Sequence, residues 1–541
     1  MIPRLTLPPN PATLALIALA FALPGLTGHD LWKTHDAIAL GVVHDMATSG
    51  QPLVPRIAGQ PWLFDPPLYH WLAVGFGTLF KHVMEFQSAA RLASGALVLA
   101  AFFLIRLAAR DWAAAEDDPR TNGAAALLLL LGSVGLIVHA HEALPELACL
   151  TAICGALATL PHAMRRPVVA GILFGVAIGA AALSAMWPAA TAVLITVLVA
   201  HLVCPEWRTR RGLLFLAVAA PVAFIIAVSW ALALYARAPD AFRLWIAVAW
   251  QPLGDPFVNL RYFLATGSWF TWPAWPLAFW AVWWLRRRWH EPRYFVPGIS
   301  SLLMIFLVAY WGPPQDVNLI PLLAPLALLG VQGALVLRRG AAGALDWFGV
   351  LAFGFFGLLL WFCYFAMVTG VPPRFANNFY KVAPGFVPEV KVLAVAGALL
   401  LAAGWVYLVF FTTRSPMRSL LRWGAGVVLL WSMGSMLLMP WVDYQRSYRS
   451  VALQLRSKIP VGSGCIAQKS LGMSQAAVLD YYAGIRAQPY DPARPNTCRL
   501  LLVQGSPQHE FDGPGAGWSK LADVGRPADR SERYRLYRLE K

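Results

Sequence analysis

The sequence predicts an all-α polytopic membrane protein that ends in a small α/β domain. Of the 541 residues, 58% are hydrophobic and only 13% are charged, whereas soluble domains carry about 25% charged residues. Apolar runs of roughly 17 to 25 residues, long enough to cross a bilayer as a helix, recur from residue 11 to residue 440. Solid runs such as AAALLLLLGSVGLIV at 124–138 lack the alternation of polar and apolar residues that a membrane β-barrel requires.

The positions of the positive charges set the predicted topology. The net charge is +16. The arginines form clusters between pairs of apolar runs, as expected for cytoplasmic loops. Nucleic-acid binding is therefore not needed to explain the positive charge. We predict about thirteen transmembrane helices, at 11–27, 88–107, 123–140, 146–161, 168–184, 187–204, 213–236, 267–285, 294–311, 317–337, 344–369, 390–411 and 420–440.

This topology places the N-terminus in the cytoplasm and the C-terminus on the outer side, because the predicted number of spans is odd. It requires residues 67–83 to form a helix along the membrane surface and not a span. The first apolar run has no small-residue cleavage site and is predicted to be an uncleaved helix, not a signal peptide. The longest outer loops are 28–87, 237–266 and 370–389, which places the expected function on the outer face.

The composition changes after residue 440. We predict a transmembrane domain at 1–440, with interfacial helices in its first outer loop at 28–87, and an α/β domain at 441–541, which is long enough to fold as a unit. Residues 444–460 have an amphipathic helical pattern, and CIAQKS (465–470), CRLLLVQG (498–505) and RYRLYRLE (533–540) are typical of short strands.

Two of the six cysteines are candidates for a disulfide. Cys465 and Cys498 each begin a predicted strand, and an extracytoplasmic position permits a disulfide. Parallel pairing of the two strands would bring the sulfur atoms together. The other four lie in predicted spans and are expected to pack as small apolar side chains; they are Cys149, Cys154, Cys204 and Cys363.

The segment 33–72 is the strongest functional signal. It carries acids, histidines, an arginine and a Pro-Pro pair between apolar segments, and polar groups this close to a bilayer are costly to keep. Thr34–Met46 has an apolar helical stripe and is predicted, like 67–83, to be a helix that lies on the outer membrane face with its apolar side down. A turn-rich connector joins the two helices.

The order of motifs in this segment resembles the first outer loop of the GT-C glycosyltransferases. The shared features are an acidic helix start, Ser49-Gly50, the Val-Pro-Arg motif ending at Arg56, and Pro-Pro-Leu at 66–68 before an aromatic helix. The most similar groups are the protein O-mannosyltransferase-like enzymes and the aminoarabinose lipid A transferases. The resemblance implies a protein of the bacterial inner membrane with a cytoplasmic N-terminus, an active site facing the periplasm and a periplasmic C-terminal domain.

The resemblance also implies site residues. The acidic pair of the family falls on His35-Asp36, which makes Asp36 the predicted general base or acceptor-orienting acid, and Glu146 falls on a second acid of the family. Arg56 is expected to bind phosphate. Three structural alternatives stay open: helix capping by Asp36, a role at the helix terminus for Glu146, and lipid-headgroup or solvent contact by Arg56. The full predicted substrate-binding set is His35, Arg56, Asp65, His70 and Arg261.

Several positions depart from the family pattern. Asp65 replaces a lysine, Phe64 replaces a glutamate, Ile38 replaces an arginine, and Met186-Trp187-Pro188 replaces Lys-Gly-Pro. Relatives use such cations to hold the donor phosphate. The sequence requires no cofactor. A divalent metal bound by four residues remains an open alternative; they are His139, His141, Glu142 and Glu146.

The predicted function is transfer of one sugar from a polyprenyl-phosphate donor, undecaprenyl phosphate in particular, to lipid A or another envelope acceptor. The expected partners are these two substrates and membrane lipids, with no nucleic acid. The alternative is a non-catalytic relative that binds lipid or scaffolds envelope assembly. A transporter is disfavoured because mid-span charges and matching interrupted helices in two halves, which transporters show, are not evident in the sequence.

Overall fold

The computed structural model describes residues 7–185, 187–249, 251, 254–413, 415, 417–490, 498–507, 514–515, 517–526, 528–529 and 531–540. Met186, one of the departures from the family pattern, lies outside these residues.

The described part of the chain forms twenty-one α-helices. They are α1 Pro11–Ala22, α2 His35–Ser49, α3 Leu68–Phe80, α4 Phe86–Asp111, α5 Pro119–Leu131, α6 Leu136–His139, α7 Pro145–Thr159, α8 Pro167–Ala182, α9 Pro188–Val203, α10 Arg210–Arg237, α11 Pro239–Ala249, α12 Pro256–Phe270, α13 Ala274–Trp284, α14 Pro292–Trp311, α15 Leu323–Leu335, α16 Arg339–Thr369, α17 Pro373–Val382, α18 Val392–Phe411, α19 Met417–Arg446, α20 Arg449–Lys458 and α21 Met473–Ala483.

Seven strands accompany these helices in the described residues. They are β1 Arg56–Ile57, β2 Gln60–Pro61, β3 Ile466–Lys469, β4 Ala487–Pro489, β5 Leu500–Gly505, β6 Trp518–Val524 and β7 Arg533–Leu539.

The helical part has the composition of a multi-pass membrane protein. Among the described residues, six helical stretches are long and apolar enough to cross a bilayer: α4, α10, α14, α16, α18 and the stretch formed by α19 and α20. Five shorter apolar helices accompany them, namely α1, α3, α8, α9 and α15. The predicted fold class is therefore confirmed, whereas the number of about thirteen spans stays a prediction.

Two of the predicted spans are interrupted, and the two interruptions contact each other. The predicted span 123–140 divides into α5 and α6, and the span 267–285 divides between α12 and α13. At the breaks, the Gly135 N–H donates to the Phe270 carbonyl at 2.7 Å, and the Val134 N–H donates to the Trp272 carbonyl at 3.0 Å. A Cβ on Gly135 would lie 2.3 Å from the Phe270 ring, so only glycine allows this approach.

The C-terminal part contains a five-stranded sheet in the order β4-β3-β5-β7-β6. Strand β3 pairs in parallel with β4 and β5, and β7 pairs antiparallel with β5 and β6. The three predicted strands and the amphipathic helix are present as β3, β5, β7 and α20, while β4, β6 and α21 were not predicted. Buried side chains of the sheet and of α20 and α21 share one core with the first outer loop; they include Leu40, Val43, Leu455, Val478, Leu500 and Leu536.

A disulfide joins Cys465 and Cys498 in the structure, with a Cα–Cα distance of 5.0 Å. The parallel pairing of β3 with β5 places the two cysteines side by side. The bond closes a loop across a sequence separation of 33 residues. It therefore restricts the unfolded chain of the C-terminal part.

Replacing either cysteine by serine is expected to lower the free energy of unfolding of the C-terminal part by about 3 to 4 kcal/mol, because a loop of this length regains its entropy when unfolded. The measurement is protection of 441–541 from a protease added to the purified protein at increasing temperature. Cys465→Ser, Cys498→Ser and reduction of the wild-type protein should behave alike, whereas Cys363→Ser should match the wild type. Equal protection of all of them would contradict the prediction.

Candidate active site

Helix α2 begins at His35-Asp36, the residues aligned with the acidic pair of the family. It lies between two other helices. It packs on α3 on one side and on α21 of the C-terminal part on the other. Gly41 faces α21 so closely that a Cβ there would lie 2.5 Å from the Cβ of Ala477. We predicted that α2 lies on the outer membrane face with its apolar side down. Two residues of the predicted apolar stripe, Val42 and Met46, pack with Ala477 of α21. Asp36 is buried against Arg91 of α4.

A cavity of about 290 Å³ opens next to the first turns of α2. Four segments form its wall: the start of α2, the residues before Pro-Pro-Leu, the start of α7 and the loop before α15. Its lining residues are Thr34, His35, Ile38, Ala39, Trp62, Phe64, Asp65, Leu144, Pro145, Glu146, Pro313, Gln315 and Asn318. None of these described lining residues is a lysine or an arginine.

Two carboxyl groups, those of Asp65 and Glu146, face this cavity and interact electrostatically. Asp65 accepts a hydrogen bond of 3.0 Å from the indole N–H of Trp62. Burial raises the pKa of Asp65, and the hydrogen bond from Trp62 opposes the rise. Two neighbouring carboxyl groups cannot easily both ionise. The pair is therefore suited to hold one proton that can move between substrate and protein.

Glu146 lies in the first turn of α7 and is 9% exposed. Its Oε2 atom is buried and has no hydrogen-bond partner within the described structure. A buried carboxylate oxygen without a partner is costly, so a group that binds in the cavity would gain by supplying one. Its place in the first turn of α7 also agrees with the alternative role at the helix terminus, where a carboxylate interacts favourably with the helix dipole.

A cluster of ionisable side chains borders the cavity beyond His35. The Nδ1 atom of His139 lies 2.9 Å from Glu142 Oε2, and its Nε2 atom lies 3.4 Å from Asp316 Oδ2. Burial lowers the pKa of His35, and the charge of His139 adds to this, while Glu142 and Asp316 act in the opposite direction. His35 is therefore a neutral side chain of the cavity wall near neutral pH.

The residues considered for metal binding do not assemble into a ligand set. Both ring nitrogens of His141 lie near backbone carbonyls, 2.9 Å from Ile137 O and 2.7 Å from Phe21 O. His139 is held between two carboxylates, as described above. Within the described residues, no group of three or more His, Cys, Asp or Glu side chains is arranged to bind a metal ion.

Asp36, the predicted general base, forms a buried ion pair with Arg91. Its side chain is 1% exposed and that of Arg91 is fully buried. Asp36 Oδ1 accepts from Arg91 Nε at 2.9 Å, and Oδ2 accepts from Arg91 Nη2 at 2.6 Å. The backbone N–H groups of Ala143 and Trp32 also donate to this carboxylate, at 2.9 and 3.2 Å.

These contacts use both carboxylate oxygens of Asp36, and Asp36 is not among the residues that line the cavity. The geometry therefore argues against the prediction that Asp36 is the base and favours a structural role. The guanidinium of Arg91 also donates to the carbonyls of His29 and Asp30, at 2.9 and 2.8 Å. The ion pair thus ties the start of the first outer loop to α4 and to the turn just before Glu146.

The other predicted substrate-binding residues lie apart from the cavity wall. Arg56 is half-buried on β1, and its Nε atom is buried without a hydrogen-bond partner in the described structure. His70 is fully buried in α3, where burial lowers its pKa to about 3 against the effect of the Pro66 carbonyl. Arg261 is exposed on α12. Of the predicted binding set, the structure brings only His35 and Asp65 together with Glu146.

Sequence reasoning missed Trp62, Gln315 and Asn318 as cavity residues. Trp62 orients Asp65 by its hydrogen bond, and Asn318 donates to the Pro313 carbonyl at 2.9 Å. The signal for the last two was the polar cluster Gln-Asp-Val-Asn at 315–318, where the predicted span 317–337 begins. That cluster could have been linked to the cavity only through the fold.

Several known proteins are similar to this chain in sequence or in fold, although no family model matches the chain. An undecaprenyl phosphate-alpha-4-amino-4-deoxy-L-arabinose arabinosyl transferase of Pseudomonas fluorescens is 27% identical over 433 residues, which cover 77% of this chain and 72% of that protein. The enzyme of the same name from Pseudomonas aeruginosa is 28% identical over 366 residues, which cover 63% of each. The crystal structure of ArnT from Cupriavidus metallidurans bound to undecaprenyl phosphate superposes with a TM-score of 0.69 at 18% identity, over 97% of both chains.

With this superposition, the multi-pass helical part and the predicted first outer loop that packs against the C-terminal part place the chain among proteins with the GT-C fold. The chain is similar to GT-C glycosyltransferases in sequence and in fold. Among these, the relatives found in Pseudomonas are arabinosyl transferases, as their names state. The family resemblance drawn from the first outer loop is thereby confirmed.

Proposed function

We propose that this protein transfers a single sugar from an undecaprenyl-phosphate donor to lipid A or a related envelope acceptor. Its similarity to arabinosyl transferases named for an undecaprenyl-phosphate-linked amino sugar supports this donor class. We also propose that the N-terminus is cytoplasmic, that residues 1–440 form the transmembrane domain, and that residues 441–541 form a periplasmic domain. The arginine clusters of the predicted inner loops support this orientation.

The observation that carries the proposal is the pair of carboxyl groups, Asp65 and Glu146, that line one cavity. In the proposed reaction, an acceptor oxygen attacks the sugar C1 while one carboxylate of the pair takes the acceptor proton. The new bond joins the acceptor oxygen to C1, and the bond between C1 and the phosphate oxygen breaks. Undecaprenyl phosphate leaves with the bonding electrons. A non-catalytic role is not favoured, because a lipid scaffold has no need for this pair.

The charge of the cavity supports an amino sugar as the transferred group. Asp65 occupies a position where relatives carry a lysine. The described residues that line the cavity include both acids of the pair and neither a lysine nor an arginine. A protonated amine on the sugar would supply the missing positive charge, since buried charges need partners. The unpartnered Oε2 of Glu146 is one acceptor for such a group.

The donor phosphate needs a cation, and Arg56 is the proposed one. The Arg56 side chain is half-buried, and its buried Nε atom has no hydrogen-bond partner in the described structure. A phosphate that reaches the guanidinium would form a charge-assisted hydrogen bond with it. This assignment agrees with the position of Arg56 in the Val-Pro-Arg motif that the sequence shares with the family.

In an assay with the purified protein, radiolabelled undecaprenyl-phosphate amino sugar and lipid A, the wild type is expected to produce labelled lipid A. Arg56→Gln should raise the KM for the donor by about 10- to 100-fold, because a hydrogen bond to a charged group contributes about 1.5 to 3 kcal/mol. Arg538→Gln, a change at an exposed arginine of β7, is the matched control and should keep the wild-type KM. No transfer by the wild type to any envelope acceptor would refute the proposed function; an unchanged KM in Arg56→Gln would refute only the role of Arg56.

A further inference from the structure

A second cavity, of about 220 Å³, lies along one face of α19. We call it the α19 groove. Its lining residues are Trp32, Val138, Leu430, Trp431, Gly434, Ser435, Leu438, Met439, Val442 and Arg446. The members from α19 recur at intervals of three and four residues, so they form a single face of the helix. All of that face is apolar or small except Ser435 and the terminal Arg446.

The length of the groove matches one leaflet of a bilayer. Twelve residues separate Leu430 from Val442, which corresponds to about 18 Å along a helix, and half of the hydrocarbon thickness is about 15 Å. Arg446 lies one turn beyond Val442, at the depth expected for lipid headgroups. An acyl chain in the groove would therefore place its polar end beside Arg446.

The charge at that end of the groove suits a phosphate. Arg446 is exposed, and its guanidinium lies over the Trp32 ring at 5.2 Å from the ring centre. In the described part of the chain, no carboxylate lies within ion-pair distance of Arg446. The nearby Asp443 is already engaged, since its Oδ1 accepts from the Trp32 indole N–H at 2.8 Å and from the Asp30 N–H at 2.9 Å.

The α19 groove and the active-site cavity are lined by neighbouring stretches of the chain. Trp32 lines the groove, whereas Thr34 and His35, two and three residues later, line the cavity. Val138 lines the groove as well, and the next residue, His139, belongs to the ionisable cluster beside His35. The end of the groove that contains Trp32 is therefore adjacent, along the chain, to the residues of the cavity wall at the start of α2.

Arg56, the proposed donor-phosphate residue, lies at a different part of the first outer loop. It is on the β1-β2 hairpin, whose Ile57 packs with Val42 and Met46 in the second half of α2. The groove instead meets the chain at Trp32, before α2 begins. The donor and the lipid in the groove would therefore approach the cavity from different ends of α2.

We infer that the α19 groove binds an acyl chain of the acceptor lipid, with a headgroup phosphate of that lipid on Arg446. This inference rests on the proposed function, since it assigns the acceptor of the same reaction. A phosphate-bearing, multiply acylated lipid such as lipid A satisfies both the apolar wall and the cationic end of the groove.

The experiment uses the full-length protein in nanodiscs of neutral lipid, with two probes, radiolabelled lipid A and radiolabelled undecaprenyl phosphate. Val442→Trp fills the groove and Arg446→Gln removes its charge. Each should weaken lipid A binding at least tenfold and leave undecaprenyl phosphate binding unchanged. Leu400→Trp, at an apolar α18 residue that is 74% exposed, is the matched control for adding a tryptophan and should bind both lipids like the wild type.

Dephosphorylated lipid A should bind the wild type as weakly as lipid A binds Arg446→Gln, and Arg446→Lys should restore part of the affinity. Unchanged lipid A binding by both variants would overturn the inference. Loss of undecaprenyl phosphate binding in Val442→Trp would also overturn it, because the groove would then hold the donor. If the groove variants lose lipid A as expected but the wild type transfers no sugar, the binding site stands as a lipid site and the proposed function fails.

Discussion

Replacing Glu146 by glutamine is expected to lower the rate of sugar transfer by at least about a hundredfold, because positioned acid-base groups typically contribute about 10²- to 10⁴-fold. Glu146→Gln keeps the size of the side chain but removes the carboxylate that faces the cavity. Asp65→Asn should have a comparable effect. The double variant should be little worse than either single variant, because residues that act as a unit are not additive.

The measurement is kcat for transfer of labelled sugar at saturating donor and acceptor. Glu389→Gln, a change at an exposed glutamate in the predicted outer loop 370–389, is the matched control and should retain the wild-type kcat. Donor binding by Glu146→Gln should be measured in parallel, so that loss of chemistry is separated from loss of binding. Full activity of both Glu146→Gln and Asp65→Asn would remove the carboxyl pair from the mechanism.

The pH profile tests the same pair. Burial raises the pKa of Asp65, so the pair takes up its second proton at a higher pH than an exposed aspartate, whose pKa is about 3.9. The base form is then lost as pH falls through this raised pKa. The rate of the wild type is therefore expected to fall on acidification while the protein stays folded, and Asp65→Asn should shift or abolish that limb of the profile.

Removing one partner of the buried Asp36–Arg91 pair is expected to destabilise the protein by about 3 to 5 kcal/mol, because the other charge is left buried without a partner. Arg91→Met also removes donors from the carbonyls of His29 and Asp30. Asp36→Asn combined with Arg91→Met should recover part of the loss, since no uncompensated charge then remains. The measurement is thermal unfolding of the purified protein in detergent, followed by tryptophan fluorescence.

The matched control is Arg110→Met, which breaks the ion pair of Arg110 with Asp111. The Arg110 side chain is 44% exposed, and such surface pairs contribute about 0 to 1 kcal/mol. Equal stability of Arg91→Met and Arg110→Met would show that the buried pair does not hold the loop in place.

The pH dependence of stability follows from the same pair. Burial alone would raise the pKa of Asp36, but the charge and hydrogen bonds of Arg91 outweigh it and hold the pKa below its ordinary value. The stabilisation by Asp36 is therefore fully present above the pKa of the unfolded chain and is lost as pH falls through the lower pKa of the folded protein. Asp36→Asn should flatten this acid limb of the stability profile.

The sequence alone was enough for the fold class, the positions of most helices and the side-by-side placement of Cys465 and Cys498. These features depend on local information: a run of apolar residues signals a membrane helix whatever its neighbours are, and a strand has a short, recognisable pattern. The order of motifs in 33–72 was also sufficient to indicate the family, because a sequence motif is defined by residues that follow one another along the chain.

Only the tertiary structure decided the roles of the acids. Asp36 matched the second residue of the family's acidic pair and was predicted to be the base, but Arg91, 55 residues away, binds its carboxylate outside the cavity. The sequence presented Asp65 only as the replacement of a lysine, yet the fold brings it to the same cavity as Glu146. The physical reason is that the charge state and reactivity of a carboxyl group depend on burial and on partners brought together by packing, and neither is visible in a local stretch of sequence.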